Sequence, residues 1–382
     1  MKKTYHEVKM AMNKIKSSKL SGTGEIDLRA IVLAGGSGTR FWPLSRQRSP
    51  KQYLKITSDK PLIEETVNRI KGLVPNSRIY SVAISSQTRI LRRLLPRLPE
   101  KNFLVEPEAR NTAASLILAT AVIYLENPEA VMIALPADHF ISEVEAFREK
   151  LLRAARAAYE FKKIVMFGIP PTSPATAYGY IHISSKHSKK VDGEKFYKVK
   201  GFREKPDLPS ALEFIQSGDY YWNSGIFLWR ADTFEENLRE FAPELFSAWI
   251  KLLSALRRHD RREIARVFRE IPALSIDYAL IEKVTGSLMN PGNFGWSDLG
   301  SWGSLYEYLP KDEACNSSRD RLLTLDARNC LVLNPGQITA LIGVENLMVI
   351  NSGDALLICK KDQDQRVKEL VEKLKKDLPE YV

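Results

Sequence analysis

Residues 29–54 read RAIVLAGGSGTRFWPLSRQRSPKQYL. A short β-branched run breaks into Gly35, Gly36 and Gly38, and Arg40 and Lys51 follow. Glycines after a strand let backbone N–H groups approach an anion closely. Arg40 offers a fixed fork of donors suited to phosphate oxygens, and Lys51 adds a second cation one loop later. Two familiar phosphate loops are excluded. No G-K-[ST] follows the glycines, and Phe41 stands where a G-x-G-x-x-G fingerprint needs its last glycine. The same pattern also suits a plain tight turn carrying surface charge, so the surrounding chain has to decide.

Outward from this stretch, apolar runs alternate with helical patterns. RAIVLA reads as a buried strand and PLIEETVNRIKGL (61–73) as a helix. RIYSVAI, FLVE, VMIALPADH and IVMFGI read as further strands. Helices are expected near 86–96, over NTAASLILATAVIYLE and over 143–162. Strands separated by single helices imply βαβ units and a largely parallel sheet. Such a sheet is covered on both faces, which explains strands that are apolar throughout. After residue 170 the pattern loosens into FYKVKGFREKP and SGIFLWR, with helices over much of 232–285. From about residue 320, LLTLDA, CLVL, ITALIG, LMVINS and ALLICK follow at close spacing, as in a small all-β unit. Val367, Leu370, Val371 and Leu374 then form the apolar stripe of an amphipathic helix. The expected domains are a basic extension over 1–27, a catalytic domain over 28–310 and a short β-helix-like domain over 311–382.

The chain of 382 residues has 44% hydrophobic and 27% charged content, that of a globular protein with ample core. Its net charge of +11 suits a polyanionic ligand or simply a solvated basic surface. Part of that excess is local, because residues 1–24 carry six lysines and one acid. The three cysteines, Cys315, Cys330 and Cys359, form neither a CxxC pair nor a zinc spacing, and a reducing cytoplasm is expected. No apolar run long enough to span a membrane occurs, and the N-terminus lacks the features of a secretory signal.

GGSGTRFWPLSRQRSPKQYL resembles the signature of sugar-1-phosphate nucleotidylyltransferases, and its WPLSR and PKQ wording resembles the mannose-1-phosphate guanylyltransferase branch. EPEARNTAA (106–114), LPADHFI (135–141), YGYI (178–181), FREKP (202–206), WNSGIFLW (222–229), SIDYALIEK (275–283) and WSDLGSW (296–302) are similar to that branch in the same order. The resemblance covers roughly residues 29–360. It implies an α/β fold, a Rossmann-like mixed, mostly parallel sheet flanked by helices, with the small C-terminal β domain. It implies Mg²⁺-dependent transfer of a guanylyl group from GTP to mannose 1-phosphate.

The resemblance also implies the site. Arg40, Lys51 and Lys205 would be catalytic, with Lys205 on the sugar phosphate. Leu33, Gly35, Gly36, Gly38, Thr39, Glu106, Asn111, Thr112 and Asp138 would bind the nucleotide. Gly179, Glu204 and Asn223 would bind the sugar, and Asp138 and Asp298 would share the metal. Chemistry supports several of these. Asp138 follows VMIALP, and ligands of open parallel sheets bind beyond the carboxyl ends of strands. Asp138 could instead cap the next helix. A carboxylate such as Glu106 can accept from the adjacent guanine donors, and Asn223 can donate to and accept from hydroxyls. Asn111 and Thr112 open a helix whose first N–H groups are expected to be free, with Asn111 also able to cap it. Glu204 and Lys205 could instead form an exposed salt-bridging turn. The segment Ala175-Thr176-Ala177-Tyr178-Gly179 departs from the E-T-G-Y-G context usual in the branch, which puts that loop's sugar contacts in question.

Other readings keep the fold and change the substrate to another sugar 1-phosphate, or make the chain a non-catalytic subunit. The presence of Arg40, Lys51, Asp138, Lys205 and Asp298 argues against the latter. Basic and aromatic residues do not interleave as an RNA-stacking face requires, so no nucleic-acid partner is expected. No histidine cluster follows residue 320, so isomerase activity is not expected. The apolar helix stripe and the β unit are candidates for a homodimer contact.

Overall fold

The computed structural model describes residues 26–36 and 38–382. Most of the expected basic extension (1–27) lies outside the described residues. Within them, Asp27 already belongs to the folded body, where it pairs with Arg29 at 2.9 Å.

The strands of the main sheet are β1 (Leu28–Leu33), β2 (Ile79–Ile84), β3 (Phe103–Glu106) and β4 (Val131–Pro136). After the two-residue β5 (Phe140–Ile141) come β6 (Val165–Ile169), β7 (Tyr180–Val191), β8 (Glu194–Arg203), β9 (Tyr220–Arg230) and β10 (Leu288–Pro291). Their order is β3-β2-β1-β4-β9-β6-β10-β8-β7, with β5 outside the sheet. The first four are parallel, as the alternating pattern predicts. Strand β9 then enters antiparallel between β4 and β6. The sheet is therefore mixed, and β9 divides it into two halves.

Helices α1 (Leu62–Arg69), α2 (Ser85–Leu94), α3 (Asn111–Glu126), α4 (Val144–Phe161) and α5 (Leu208–Ser217) link these strands. A cluster of three, α6 (Ala231–Phe241), α7 (Pro243–Arg257) and α8 (Arg261–Glu270), follows β9. Strand alternation explains the layering. Ala30 and Val32 of β1 join a core with α1 and α4, whereas Ile31 faces a second core with α3, α6, α7 and α8. Helix α3 is apolar on all sides because it is sandwiched between the sheet and α7.

Beyond the ribbon strand β11 (Trp296–Ser297) and helix α9 (Trp302–Tyr308), the chain forms β12 (Ser317–Ser318), β13 (Leu322–Leu325), β14 (Leu331–Leu333), β15 (Thr339–Ile342), β16 (Leu347–Asn351) and β17 (Leu356–Lys360). β12, β14 and β16 stack in parallel as one wall, and β13 and β15 as another. Helix α10 (Val367–Asp377) follows. The expected free apolar stripe on this helix is corrected here. Val367 and Val371 are buried within the same chain, in a third core with Phe41, Trp42, Trp302, Leu331 and Met348. The glycine-loop region and the C-terminal domain thus share one interior, and the stripe is largely covered without a partner. Among the described residues no helix is long and apolar enough to cross a membrane.

Candidate active site

The segments singled out in the sequence meet beyond the carboxyl ends of β1 and β4. Gln52 is buried and donates from Nε2 to the carbonyl of Ala34 at 2.7 Å, and Ser45 Oγ donates to the carbonyl of Gly38 at 2.7 Å. These bonds fix the turn. A Cβ on Gly38 would fall 2.2 Å from Lys51 Cβ, and its φ is 60°, so only glycine fits where the lysine passes. In front of Gly35 and Gly36 there is open space, room for a ligand to approach the backbone.

Lys51 is buried yet ends between two acidic loops. Its Nζ donates to Asp138 Oδ2 at 2.9 Å and to the Asp298 carbonyl at 2.5 Å. Asp138 and Asp298 are far apart in the chain but adjacent in space because β5 and β11 pair antiparallel, Phe140 opposite Ser297. The next position along the ribbon brings Asp298 opposite His139. Burial works to raise the Asp138 pKa, but the nearby Lys51 ammonium, together with neighbouring charge and hydrogen bonds, holds the carboxyl below its ordinary range. Burial pushes His139 down to about 4, so its ring is neutral at pH 7, and its Nδ1 accepts from Trp296 Nε1 at 3.1 Å. Asp298 Oδ1 accepts from the Tyr178 hydroxyl at 2.9 Å and the Gly300 N–H at 3.0 Å. Gly38, Thr39, Arg40, Lys51, Asp138 and Asp298 line a cleft of about 310 Å³.

A second cavity of about 220 Å³ adjoins it through His139 and Asp298. Its lining includes Leu33, Thr112, Gly179, Glu204 and Asn223, and also Tyr178, Asp277 and Trp296. Gly179 is required by close packing, since a Cβ there would sit 2.4 Å from Glu204 Oε2 and 2.8 Å from Phe202 Cζ. Asn223 donates from Nδ2 to Asp277 Oδ1 at 2.8 Å and accepts at Oδ1 from the Gly225 N–H at 3.1 Å. Burial and the nearby Glu204 push Asp277 up to about 6. Tyr178 packs its ring against Trp222 and Trp296, 5.0 and 5.7 Å between centroids.

Gly35 and Gly36 line neither cavity directly, and three other expected residues stand apart from both. Lys205, at φ 45°, lies outside both linings and pairs with Glu204. Burial works to lower the Lys205 pKa, but Glu204 and then Asp277 raise it above the ordinary lysine value. Glu106 is buried at the end of β3 and accepts from the Ser115 hydroxyl, and burial raises its pKa. Asn111 does not cap α3 from outside. It is the first helical residue, at φ 62°, and its Oδ1 accepts from the adjacent Thr112 N–H at 2.8 Å. Nor are the first helical N–H groups all free. The Ala113 N–H donates to the Leu274 carbonyl at 3.2 Å, while Thr112 Oγ1 accepts from the Ile276 N–H at 2.9 Å. The reason is tertiary, because the 274–277 segment crosses the helix start.

Comparison with known proteins gives the family of the chain. A family described as nucleotidyl transferase matches residues 29–314, and one described as MannoseP isomerase/GMP-like beta-helix domain matches 320–374. The mannose-1-phosphate guanylyltransferase of Escherichia coli is 32% identical over 355 residues, covering 90% of this chain and 75% of that protein. The chain belongs to the mannose-1-phosphate guanylyltransferase family. Another relative in comparison is the alginate biosynthesis protein AlgA of Pseudomonas putida, 36% identical across 90% of this chain and 71% of that protein. A solved Thermus thermophilus structure, described as a mannose-1-phosphate geranyltransferase, superposes with a TM-score of 0.83 at 34% identity, covering 92% of this chain and all of that one.

Within this guanylyltransferase family member, sequence reading missed Asp277, Tyr178 and Gln52. Asp277 and Tyr178 stand inside quoted motifs, SIDYALIEK and YGYI. A signal for Asp277 was an acid beside an apolar helical turn, where burial needs a polar reason.

Proposed function

We propose that this chain transfers the guanylyl group of GTP to mannose 1-phosphate, giving GDP-mannose and diphosphate. The observation that carries the reading is the pair of adjoining cavities: one basic and open at a glycine loop, the other lined by carboxylates, an amide and aromatic rings, both meeting at Asp298. A polyphosphate suits the first and a sugar the second.

In the proposed reaction a phosphate oxygen of the sugar phosphate attacks the α-phosphorus of GTP. A new P–O bond forms, the bond to the β-phosphate oxygen breaks, and diphosphate leaves. Both reactants are anions, so positioning and cations do most of the catalysis. The backbone of Gly35, Gly36 and Gly38, with Arg40, would hold the triphosphate. Asp138 and Asp298 face one cleft with hard oxygen donors. They would hold a magnesium ion, which takes hard oxygen ligands of this kind. Bound there, the ion would neutralise charge at the phosphates. Lys51, now paired with Asp138, would turn its ammonium to the phosphates once that carboxylate is engaged elsewhere. Lys205 would swing from Glu204 to the sugar phosphate, freeing Glu204 for hydroxyls beside Asn223. Leu33 and Thr112 would border the ribose. Guanine would lie beyond β2 and β3, near Asn111, where Glu106 can accept from its N–H groups after exchanging its bond to Ser115. The cysteines are unpaired thiols, and we place the reaction in a reducing cytoplasm.

The test is diphosphate release with Mg²⁺ across four nucleoside triphosphates and mannose, glucose and fucose 1-phosphates. Turnover confined mainly to GTP with mannose 1-phosphate supports the assignment. Preference for another pair would overturn it.

A further inference from the structure

We propose that Lys368, on the first turn of α10 in the C-terminal domain, is a polyphosphate-binding residue of the active site. The proposal rests on the guanylyl-transfer reading and adds to it a cation from outside the catalytic domain. Lys368 lines the same cleft as Arg40, Lys51, Asp138 and Asp298.

The lysine is held in place from both sides. Four residues before it, the buried Asp364 accepts the Gly303 N–H on Oδ2 at 2.7 Å. The approach is so close that a Cβ on Gly303 would sit 2.7 Å from that same oxygen. After the helix, the Tyr381 carbonyl accepts from Trp42 Nε1 at 2.8 Å. The Trp42 carbonyl in turn accepts from Trp302 Nε1 at 3.0 Å. Between these ties Val367 and Val371 pack into the core that contains Phe41, next to Arg40. One face of α10 is therefore fixed against the turn that carries Arg40, and Lys368 is directed into the cleft.

Charge gives this position a purpose. Lys51 is already paired with Asp138. Until that carboxylate is engaged elsewhere, Arg40 is the cation of the catalytic domain left to face a triphosphate in the cleft, and Lys368 adds another. Nearby acids on α10 do not tie Lys368 down: Glu369 pairs with Arg366 at 3.1 Å and Glu372 with Lys375 at 2.7 Å. An exposed lysine at the rim of a basic cleft suits the β- and γ-phosphates, which leave as diphosphate. It has no role at the sugar, whose cavity lies on the other side of Asp298.

The experiment compares Lys368→Ala, Lys368→Arg and a control, Lys376→Ala, farther along α10. Steady-state rates are measured in both directions, and direct titration with inorganic diphosphate is done without any second substrate. Loss of one charge-assisted contact at a partly solvated site predicts KM for GTP and for diphosphate raised about tenfold in Lys368→Ala. KM for mannose 1-phosphate and the melting temperature should stay near wild type. Lys368→Arg should recover most of the loss and Lys376→Ala should show none. Unchanged KM for GTP and diphosphate in Lys368→Ala would overturn the proposal. So would an equal rise for both substrates, or a fall in melting temperature that accounts for the change. The titration separates the two readings. If wild type binds diphosphate through Lys368 but does not turn over GTP with mannose 1-phosphate, the assigned reaction fails and the site stands.

Discussion

The two halves of the active-site cleft are built by opposite means. The polyphosphate half is made of loops after parallel strands, with long cations and glycines facing open space. The sugar half is bordered by β9 and by Gly179 and Glu204, which flank β7 and β8, so tightly that Gly179 has no room for a methyl group. The contrast follows from the ligands. Phosphates are recognised by charge and backbone N–H groups, which tolerate motion and solvent. Sugar epimers differ by the direction of one hydroxyl, and only fixed partners tell them apart.

The sharpest way to break the first half is Asp138→Ala. It removes the expected metal ligand and leaves the Lys51 ammonium without its carboxylate. A fall in kcat on the order of 10³-fold is expected, with little change in KM for the sugar phosphate. A fall of less than tenfold would remove Asp138 from the mechanism.

In the second half, Gly179→Ala drives a methyl into Glu204 Oε2. KM for mannose 1-phosphate should rise roughly 10–100-fold while KM for GTP holds. Equal changes in both constants would mean that the two cavities are not separable in the way their linings indicate.

The seam between the catalytic and C-terminal domains gives a smaller effect. Asp364→Ala leaves the Gly303 N–H unpaired and should cost about 1–3 kcal/mol in denaturant unfolding. It should also raise KM for GTP a few-fold, because α10 is tied down by that bond. Unchanged stability would show that the shared core alone holds the seam.

The last effect is in the pH dependence of stability and is confined to a narrow pH window. Burial lifts Asp277 from 3.8 to about 6, so the folded chain holds this proton more tightly than the unfolded chain does. Its advantage to folding is full below about pH 4 and is lost as pH rises through 6. Asp277→Asn cannot ionise. Native stability should therefore decline relative to this variant between pH 4 and 7, by on the order of 3 kcal/mol at most. Parallel pH profiles by chemical denaturation would show that Asp277 titrates normally.

Much of this cleft is legible in the sequence. The parallel half announces itself through apolar strands, βα spacing and the glycine turn, because each is a local pattern. The place of Asp138 after β4 follows from a general rule about strand ends. What could not be read depends on which element meets which. SGIFLWR reads as a strand, but nothing in it says that β9 divides the sheet in the middle. Asn111 reads as a helix cap, whereas residues 274–276 cross the helix start and bond to its neighbours Thr112 and Ala113. Glu106 reads as a base contact, and nothing local says that it is buried with the Ser115 hydroxyl donating to it across the strand-to-helix turn. The stripe on α10 was read correctly as a period, but what covers it lies more than 300 residues earlier at Phe41 and Trp42.

The third core also has a consequence for the order in which a ribosome releases this chain. Strands β1 to β4 are complete by residue 136 and can pair early, since their contacts are near in sequence. The bare side of β4 must then wait for β9, residues 220–230. Phe41 and Trp42 wait longer still, because their neighbours include residues 299–309 and 331–371. The glycine turn is among the first catalytic segments to be synthesised and among the last to be finished. Until the distant helix arrives, a nascent chain carries an apolar, unfinished catalytic loop, the kind of surface that chaperones recognise.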